Sequence, residues 1–427
     1  MAGAGLFIAV TVRLALMPFA HLGLDMDQFV GWVHAAATAP LGDIYRADLT
    51  FPPVMAYIFG ALAALDPAFR TATTASDPLI RTLMKVPADL ADLGLAAGVA
   101  WALRREPRWA PLGGLGIALH PAVVYISAAW GQFDSIYVIW ALLAYLFVAA
   151  DHPVPGAVML GLSLMTKPQA LPLAVPFVAY ALGRYGLRGT RGLRGTLLPA
   201  AALAATVVAL WLPFLAAGGP LDYLRGLGQY ENANYAVLSL RAWNPWWILE
   251  QFAGGGFYSD LGHVVGPITP RLIGYALAGA GEAAVFWAVW RRATPRALAL
   301  GLACASLVAF ELLTTMHERY SYPALIFLAL LLPERAGRWT WAAFAVVFAA
   351  NVFAAVPPDP ALGAVLPAGG PLGVAGSAAM FGLTVVALAL LVRTDTGAAV
   401  DRAAATGNRT AAEGVRGTLA GEGDAGG

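Results

Sequence analysis

The sequence predicts an all-α polytopic membrane protein, and three observations carry that prediction. The chain of 427 residues is 59% hydrophobic and only 12% charged, with a mean hydropathy of +0.68, too apolar for a soluble domain. Its apolar residues gather into segments near the length of about 20 residues that a helix needs to cross a bilayer. Its basic residues collect in alternate loops, as the positive-inside rule asks of a multi-pass chain. The net charge of +1 comes with no contiguous basic patch, so the bilayer is an expected partner and nucleic acid is not. The single cysteine, Cys304, lies within an apolar segment, which excludes disulfides and thiolate metal clusters.

Taken in order, about twelve spans emerge. The first covers about residues 2–22; it has no basic leading region and runs straight into acidic residues, so it reads as a retained span and not a cleaved signal peptide. A long first outer loop, 23–80, follows. Within it Phe51-Pro52-Pro53-Val54 to Leu65 is apolar for only about 14 residues, the length of an interfacial or re-entrant helix. Further spans fall at about 83–103, 111–129 and 135–150; two more, 155–166 and 170–183, meet at Lys167-Pro168-Gln169. A span at about 196–216 leads into a second long outer loop, 217–270, and then come spans at about 271–290, 297–315, 322–333, 339–356 and 373–392. Residues 1–392 thus form one transmembrane domain. The tail, 393–427, has almost no large apolar residue and is expected to be disordered.

With Phe51 to Leu65 not crossing, one side of the membrane receives the loops holding Arg104, Arg105 and Arg108; Arg184 to Arg194; Arg291, Arg292 and Arg296; Arg335 and Arg338; and the tail arginines. Sixteen of the 26 basic residues sit there, and nine are spread over the much longer opposite loops. The cytoplasm therefore takes the sixteen, together with both termini, in a cell inner (plasma) membrane protein.

Polar clusters embedded near apolar segments then all fall on the extracytoplasmic side. Asp25 and Asp27 follow the first span. Trp130-Gly131-Gln132-Phe133-Asp134-Ser135, Thr166-Lys167-Pro168-Gln169 and Met316-His317-Glu318-Arg319-Tyr320 occupy three later outer junctions. The second loop adds Tyr230, Asn232, Asn234, Arg241, Asn244 and Trp246-Trp247. A transporter places such groups near the midplane of paired repeats; here they gather at one interface.

These residue types suit transfer from a lipid-linked phosphate. Lys167 and Arg319, with Arg81 or Lys85 nearby, supply charge-assisted donors for a phosphate leaving group, and Asp25 supplies a carboxylate to accept a proton from an attacking hydroxyl. Trp32, Trp130, Trp246 and Trp247 offer stacking faces. Each has a plainer reading. Interfacial tryptophans form the aromatic belt, Glu318-Arg319 makes a structural ion pair, and Arg13, Asp89 and Asp92 pair within the bundle because lone charges are costly in lipid. Asp25-x-Asp27 has no third carboxylate near it in sequence, so no metal and no cofactor is expected.

In order and side, these motifs resemble the GT-C superfamily of membrane glycosyltransferases, above all the lumenal α-1,3-glucosyltransferases of lipid-linked oligosaccharide assembly and bacterial mannosyltransferase-like relatives. The landmarks are an acid seven residues before Trp32; Phe51-Pro52-Pro53-Val54-Met55-Ala56-Tyr57, like Tyr-Pro-Pro-Leu-Thr-Ala-Tyr; Ala91-Asp92-Leu93; Gly131-Gln132-Phe133-Asp134-Ser135, like Gly-His-Phe-Gln-Tyr-Asn-Ser; Lys167-Pro168-Gln169, like Lys-Gln; Ala242-Trp243-Asn244-Pro245-Trp246, like Ala-Asn-Phe-Trp; and His317-Glu318-Arg319, like His-Glu-Lys. The resemblance covers about residues 10–335 and implies a GT-C-like bundle. It makes Asp25 the general base of an inverting, metal-independent single displacement, with His317 and Arg319 on the donor phosphate and Lys167 and Gln169 lining the same site. Asp27, Trp32, Gln132, Asp134, Asn244 and Glu318 complete the expected substrate-binding set. Three positions depart from the pattern: Asp134 replaces a neutral residue, Pro168 interrupts the Lys-Gln pair, and Asp27 replaces a glutamate.

The expectation is thus an integral membrane hexosyltransferase, mannosyl or glucosyl, that moves sugar from a polyprenyl-phosphate donor to an extracytoplasmic glycan or glycolipid acceptor. Its rival is a secondary transporter or flippase for a lipid-linked or polar solute. The two differ geometrically: in a transferase the outer clusters converge on one cavity.

Overall fold

The computed structural model describes residues 2–19 and 23–393; the tail beyond Arg393 lies outside the described residues. The fold is built almost entirely of helices, because backbone polar groups in lipid must be satisfied within the segment. Many starts are written locally as a capping side chain followed by proline. Asp77-Pro78, Asn244-Pro245, Thr269-Pro270, Thr294-Pro295 and Asp359-Pro360 each accept a backbone N–H of the first turn on the capping oxygen, and proline at the first helical position forfeits no hydrogen bond.

The helices run α1 (Ala2–Leu16), α2 (Gly23–Thr38), α3 (Pro53–Leu65), α4 (Pro78–Ala102), α5 (Trp109–Ala118), α6 (Pro121–Val124, continued by a wide π-turn over Tyr125–Trp130), α7 (Asp134–Ala149), α8 (Pro153–Leu164), α9 (Leu171–Tyr185), α10 (Gly189–Gly192), α11 (Leu198–Trp211) and α12 (Gly219–Asn234). A two-residue strand β1 (Ser239–Leu240) and α13 (Pro245–Phe252) follow, then α14 (Pro270–Arg292), α15 (Pro295–Leu312), strand β2 (Met316–His317), α16 (Tyr322–Ala329), α17 (Arg335–Ala355), α18 (Pro360–Val365) and α19 (Gly370–Val392).

By length and composition five of these helical segments can cross a membrane, Gly189–Phe214, α14, α15, α17 and α19, and a sixth is the bent pair Trp109–Ala118 with Pro121–Trp130. The protein is therefore multi-pass. The twelve spans read from hydropathy are met at full length by five or six; α1, α3, α7 and α8 are apolar but run only 12 to 16 residues. Pro121, Pro153 and Pro168 each stand at the first position of a helical segment.

Two large apolar cores and two small ones lie among the described residues. The larger runs through α4, α7, α9, α15 and α16, with α15 buried along nearly its whole length. The second belongs to the first loop. There Phe29 and Trp32 of α2 meet Phe51, Phe59 of α3 and Phe133, with ring centroids 4.9 to 6.4 Å apart, and burial of such rings is strongly stabilising. Between the cores lies a sealed ion cluster. Arg13 of α1 reaches Asp89 at 3.1 Å and Asp92 at 3.4 Å on α4 and donates to the Ala118 carbonyl at 2.6 Å, while Tyr322 Oη donates to Asp92 at 3.0 Å. All four side chains are buried, so the cluster ties α1 to α4, α5 and α16.

Candidate active site

Helical periodicity puts Asp25, Gln28, Phe29 and Trp32 of α2 on one face, and all four line a single cavity. Met26, Val30 and Val33 point into the aromatic core and fix the helix's rotation. Asp25 Oδ2 accepts hydrogen bonds from Gln132 Nε2 at 2.8 Å and Trp130 Nε1 at 3.3 Å. The π-turn brings those donors round: it ends at Gly131, whose φ of 89° lies in the left-handed region, and the Gly131 and Gln132 amides both donate to the Ile126 carbonyl. A Cβ at residue 131 would stand 1.9 Å from the terminal methyl of Met26, and the positive φ is one that glycine adopts without strain.

The facing wall comes from two chain breaks far apart in sequence. Lys167 is extended between α8 and α9, and Gln169 follows in a short 3₁₀ turn. His317, Arg319 and Tyr320 come from the link between α15 and α16, and all five side chains line the same cavity. Asp134, fully buried at the start of α7, bridges the two cations: Lys167 Nζ lies 2.7 Å from one oxygen and Arg319 Nε 3.3 Å from the other. Arg319 also donates to Glu318 at 2.9 Å and, from the same nitrogen, to His317 Nδ1 at 3.2 Å. Arginine only donates, so Nδ1 accepts and the imidazole is neutral with its proton on Nε2. Burial lowers the His317 pKa well below the usual histidine value, and the charges of Arg319 and Lys167 lower it further. Burial likewise lowers the Lys167 pKa, against the pull of Asp134, and raises that of Glu318, against the pull of Arg319.

Aromatic faces hold the cations in place. The Arg319 guanidinium sits 4.6 Å over Trp130 and 5.4 Å over Tyr320, and Lys167 Nζ 5.2 Å over Tyr320, geometry that stabilises partly desolvated charge. Lys167 spends one of its three N–H donors on Asp134, leaving two. Gln169 Oε1 is buried with no hydrogen-bond partner among the described residues.

The second long loop closes the cavity through β1 and β2, which pair in parallel with Ser239 opposite Met316 and Leu240 opposite His317. This pairing sets Tyr235 beside His317, ring centroids 5.2 Å apart, and Tyr230 Oη donates to Gln28 at 3.1 Å.

Of the residues expected from sequence, Asp25, Trp32, Gln132, Lys167, Gln169, His317 and Arg319 line the cavity, and Asp134 and Glu318 hold its cations from behind. Two do not reach it. Asp27 points away and accepts from the Ala75 amide at 2.7 Å, since two residues along a helix turn the side chain by about 200°. Asn244 caps α13 and donates to the Phe310 carbonyl at 3.0 Å. Gln28, Thr50 and Tyr235 are cavity residues that sequence reasoning passed over; Gln28 stood one helical turn from Asp25 and was legible. Among the described residues no group of three or more His, Cys, Asp or Glu side chains is placed to hold a metal ion.

Chemically, one wall presents a carboxylate held by neutral donors, and the other presents two cations and an imidazole N–H. No protein-family model matches the chain. Over 105 residues it is 33% identical to the dolichyl pyrophosphate Man9GlcNAc2 alpha-1,3-glucosyltransferase of Rattus norvegicus. The match takes in 24% of this chain, and the chain spans about a fifth (20%) of that relative's length.

Proposed function

We propose that the protein is an integral membrane hexosyltransferase with its site on the extracytoplasmic face of the inner membrane, both termini being cytoplasmic, and that it transfers mannose or glucose from a polyprenyl-phosphate donor to a glycan or glycolipid acceptor. The supporting observation is Asp25 facing His317, Lys167 and Arg319 across one cavity. The likeness to a glucosyltransferase whose name specifies a dolichyl pyrophosphate glycan points the same way.

The acceptor oxygen attacks the anomeric carbon and its proton passes to Asp25. The bond from that carbon to the phosphate oxygen breaks, and the electron pair leaves with the phosphate. His317 Nε2–H, the remaining Lys167 donors and Arg319 receive the charge that develops there. One displacement inverts the anomeric centre. Gln132 and Trp130 keep the Asp25 oxygens aimed, and Asp134 keeps the cations apart and oriented.

Purified protein assayed against a panel of polyprenyl-phosphate sugars tests this. Transfer from at least one is expected, and Asp25→Asn should cost about 10²- to 10⁴-fold in turnover while the variant remains folded. Full activity in that variant overturns the base; solute movement across liposomes with no glycosidic product overturns the transferase.

A further inference from the structure

The segment that carries His317 into the cavity begins in a strained turn. Thr314 and Thr315 stand between the end of α15 and β2, and Thr315 has a φ of 65°. A β-branched residue adopts that left-handed backbone only where its surroundings impose it. The Thr315 amide donates to the Leu238 carbonyl at 3.1 Å, so the turn delivers the chain straight into the pairing of β1 with β2, whose last residue is His317. A different backbone at 315 would aim the imidazole elsewhere.

One carboxylate grips this turn from outside. Asp260 lies in the second long loop, between α13 and α14, and is fully buried. Its Oδ2 accepts from Thr314 Oγ1 at 2.7 Å, from Thr315 Oγ1 at 3.4 Å and from Arg271 Nε at 2.7 Å, while Oδ1 accepts from Arg271 Nη2 at 2.9 Å. The bidentate guanidinium fixes the plane of the carboxylate. Arg271 is itself anchored: its amide donates to the Asp260 carbonyl at 3.1 Å, and its Nη1 donates to Asn232 of α12 at 2.8 Å. Neutralising Arg271 needs no threonine, yet both hydroxyls are drawn in at the strained position. Arg271, Thr314 and Thr315 also border a small cavity that His317 lines beside them, so the grip is exerted next to the imidazole.

We infer that Asp260 is a positioning residue for His317: it holds the Thr314-Thr315 turn in its strained form, and the turn sets where β2 presents the imidazole. Asp260 lines neither cavity and acts only through the turn. The inference rests on the transferase reading and adds the residue that preorganises its histidine.

A double-variant cycle on the purified full chain tests it, with hexosyl transfer from a polyprenyl-phosphate sugar as the readout. Asp260→Asn keeps the size of the side chain and replaces one acceptor oxygen with a donor. It should lower kcat by about 10- to 100-fold, the scale of a misplaced catalytic group, and leave KM within about threefold, because the developing charge is felt only in the transition state. In a His317→Gln background the same substitution should cost less than about threefold, since the group it positions is gone. Thr314→Val leaves the Asp260–Arg271 pair in place and should show a smaller loss with the same dependence on His317; it carries the test if Asp260→Asn does not fold. Equal losses in both backgrounds mark a merely structural residue and overturn the inference, as does an unchanged kcat in both variants. NMR of protein labelled in its histidine nitrogens reads the imidazole without turnover, the His317 signal being assigned by its loss in His317→Gln. Wild type should show one tautomer, with the proton on Nε2, and Asp260→Asn a mixture of two; an unchanged signal overturns the positioning role. Protein that shows this change but makes no glycosidic bond from any polyprenyl-phosphate sugar refutes the transferase reading and leaves Asp260 as the residue that fixes His317.

Discussion

Two buried charge clusters lie in this molecule, and they are built alike: Arg13 with Asp89 and Asp92 inside the helix bundle, and Lys167 and Arg319 with Asp134 and Glu318 behind the cavity. Both bring distant helices together through pairs of 2.7 to 3.4 Å. They differ in what is left over. Around Arg13 the Ala9 and Ala118 carbonyls and two carboxylates hold the guanidinium, and Tyr322 donates to one of those carboxylates. In the second cluster Asp134 and Glu318 pair with the cations from behind, and Lys167, Arg319 and His317 also line the cavity that Asp25 lines. Burial of charge is common to both clusters; a cavity lined by the cations is found at the second.

The largest expected effect tests the sealed cluster. Arg13→Ala strands two carboxylates side by side and should cost about 3–5 kcal/mol of stability, read by denaturation of the purified protein, while turnover per folded molecule stays within a few-fold. A selective loss of turnover would erase the distinction between the clusters. Next, Arg319→Gln should lower turnover by about 10² to 10³, or roughly 2.7–4 kcal/mol in the barrier, the size seen when one preorganised donor to developing charge is removed. An effect confined to stability would make the second cluster architectural as well.

His317 sharpens the contrast through pH. Burial, with Arg319 and Lys167, disfavours its charged form. The unfolded chain takes up a proton near the ordinary histidine value of about 6.5 that the folded chain refuses, so stability present above that pH is lost progressively as the pH falls below it. His317→Gln should flatten that part of the stability profile, and a slope unchanged in the variant counts against a neutral imidazole. The smallest effect is expected at Asp27→Asn: about 1 kcal/mol for a weakened bond to the Ala75 amide, with turnover within a few-fold of wild type. A loss matching that of Asp25→Asn would return Asp27 to the site.

Much of the cavity's lining was legible because polar residues near apolar spans are expensive and stand out. Lys167, His317 and Arg319 were found that way, as was Gln132 beside its glycine. Tyr235 was not, since a tyrosine in a polar loop is unremarkable until β1 pairs with β2. Asn244 caps α13 and does not line the cavity, as its asparagine-proline pair also allows. Of the twelve spans read from hydropathy, five or six helical segments among the described residues are long and apolar enough to cross by length and composition.

The sequence by itself determined the class of the protein: apolar content and the need to satisfy every backbone group within lipid leave helices as the solution. It also determined where those helices begin and which polar residues carry unusual cost. Only the tertiary structure decided which of them share a cavity. That depends on the rotation of α2, fixed by the aromatic core and by the close approach at Gly131, and on a strand pairing between segments about 77 residues apart (239 to 316). Asp25 faces His317 and Asp27 does not because packing sets an angle that no local pattern encodes.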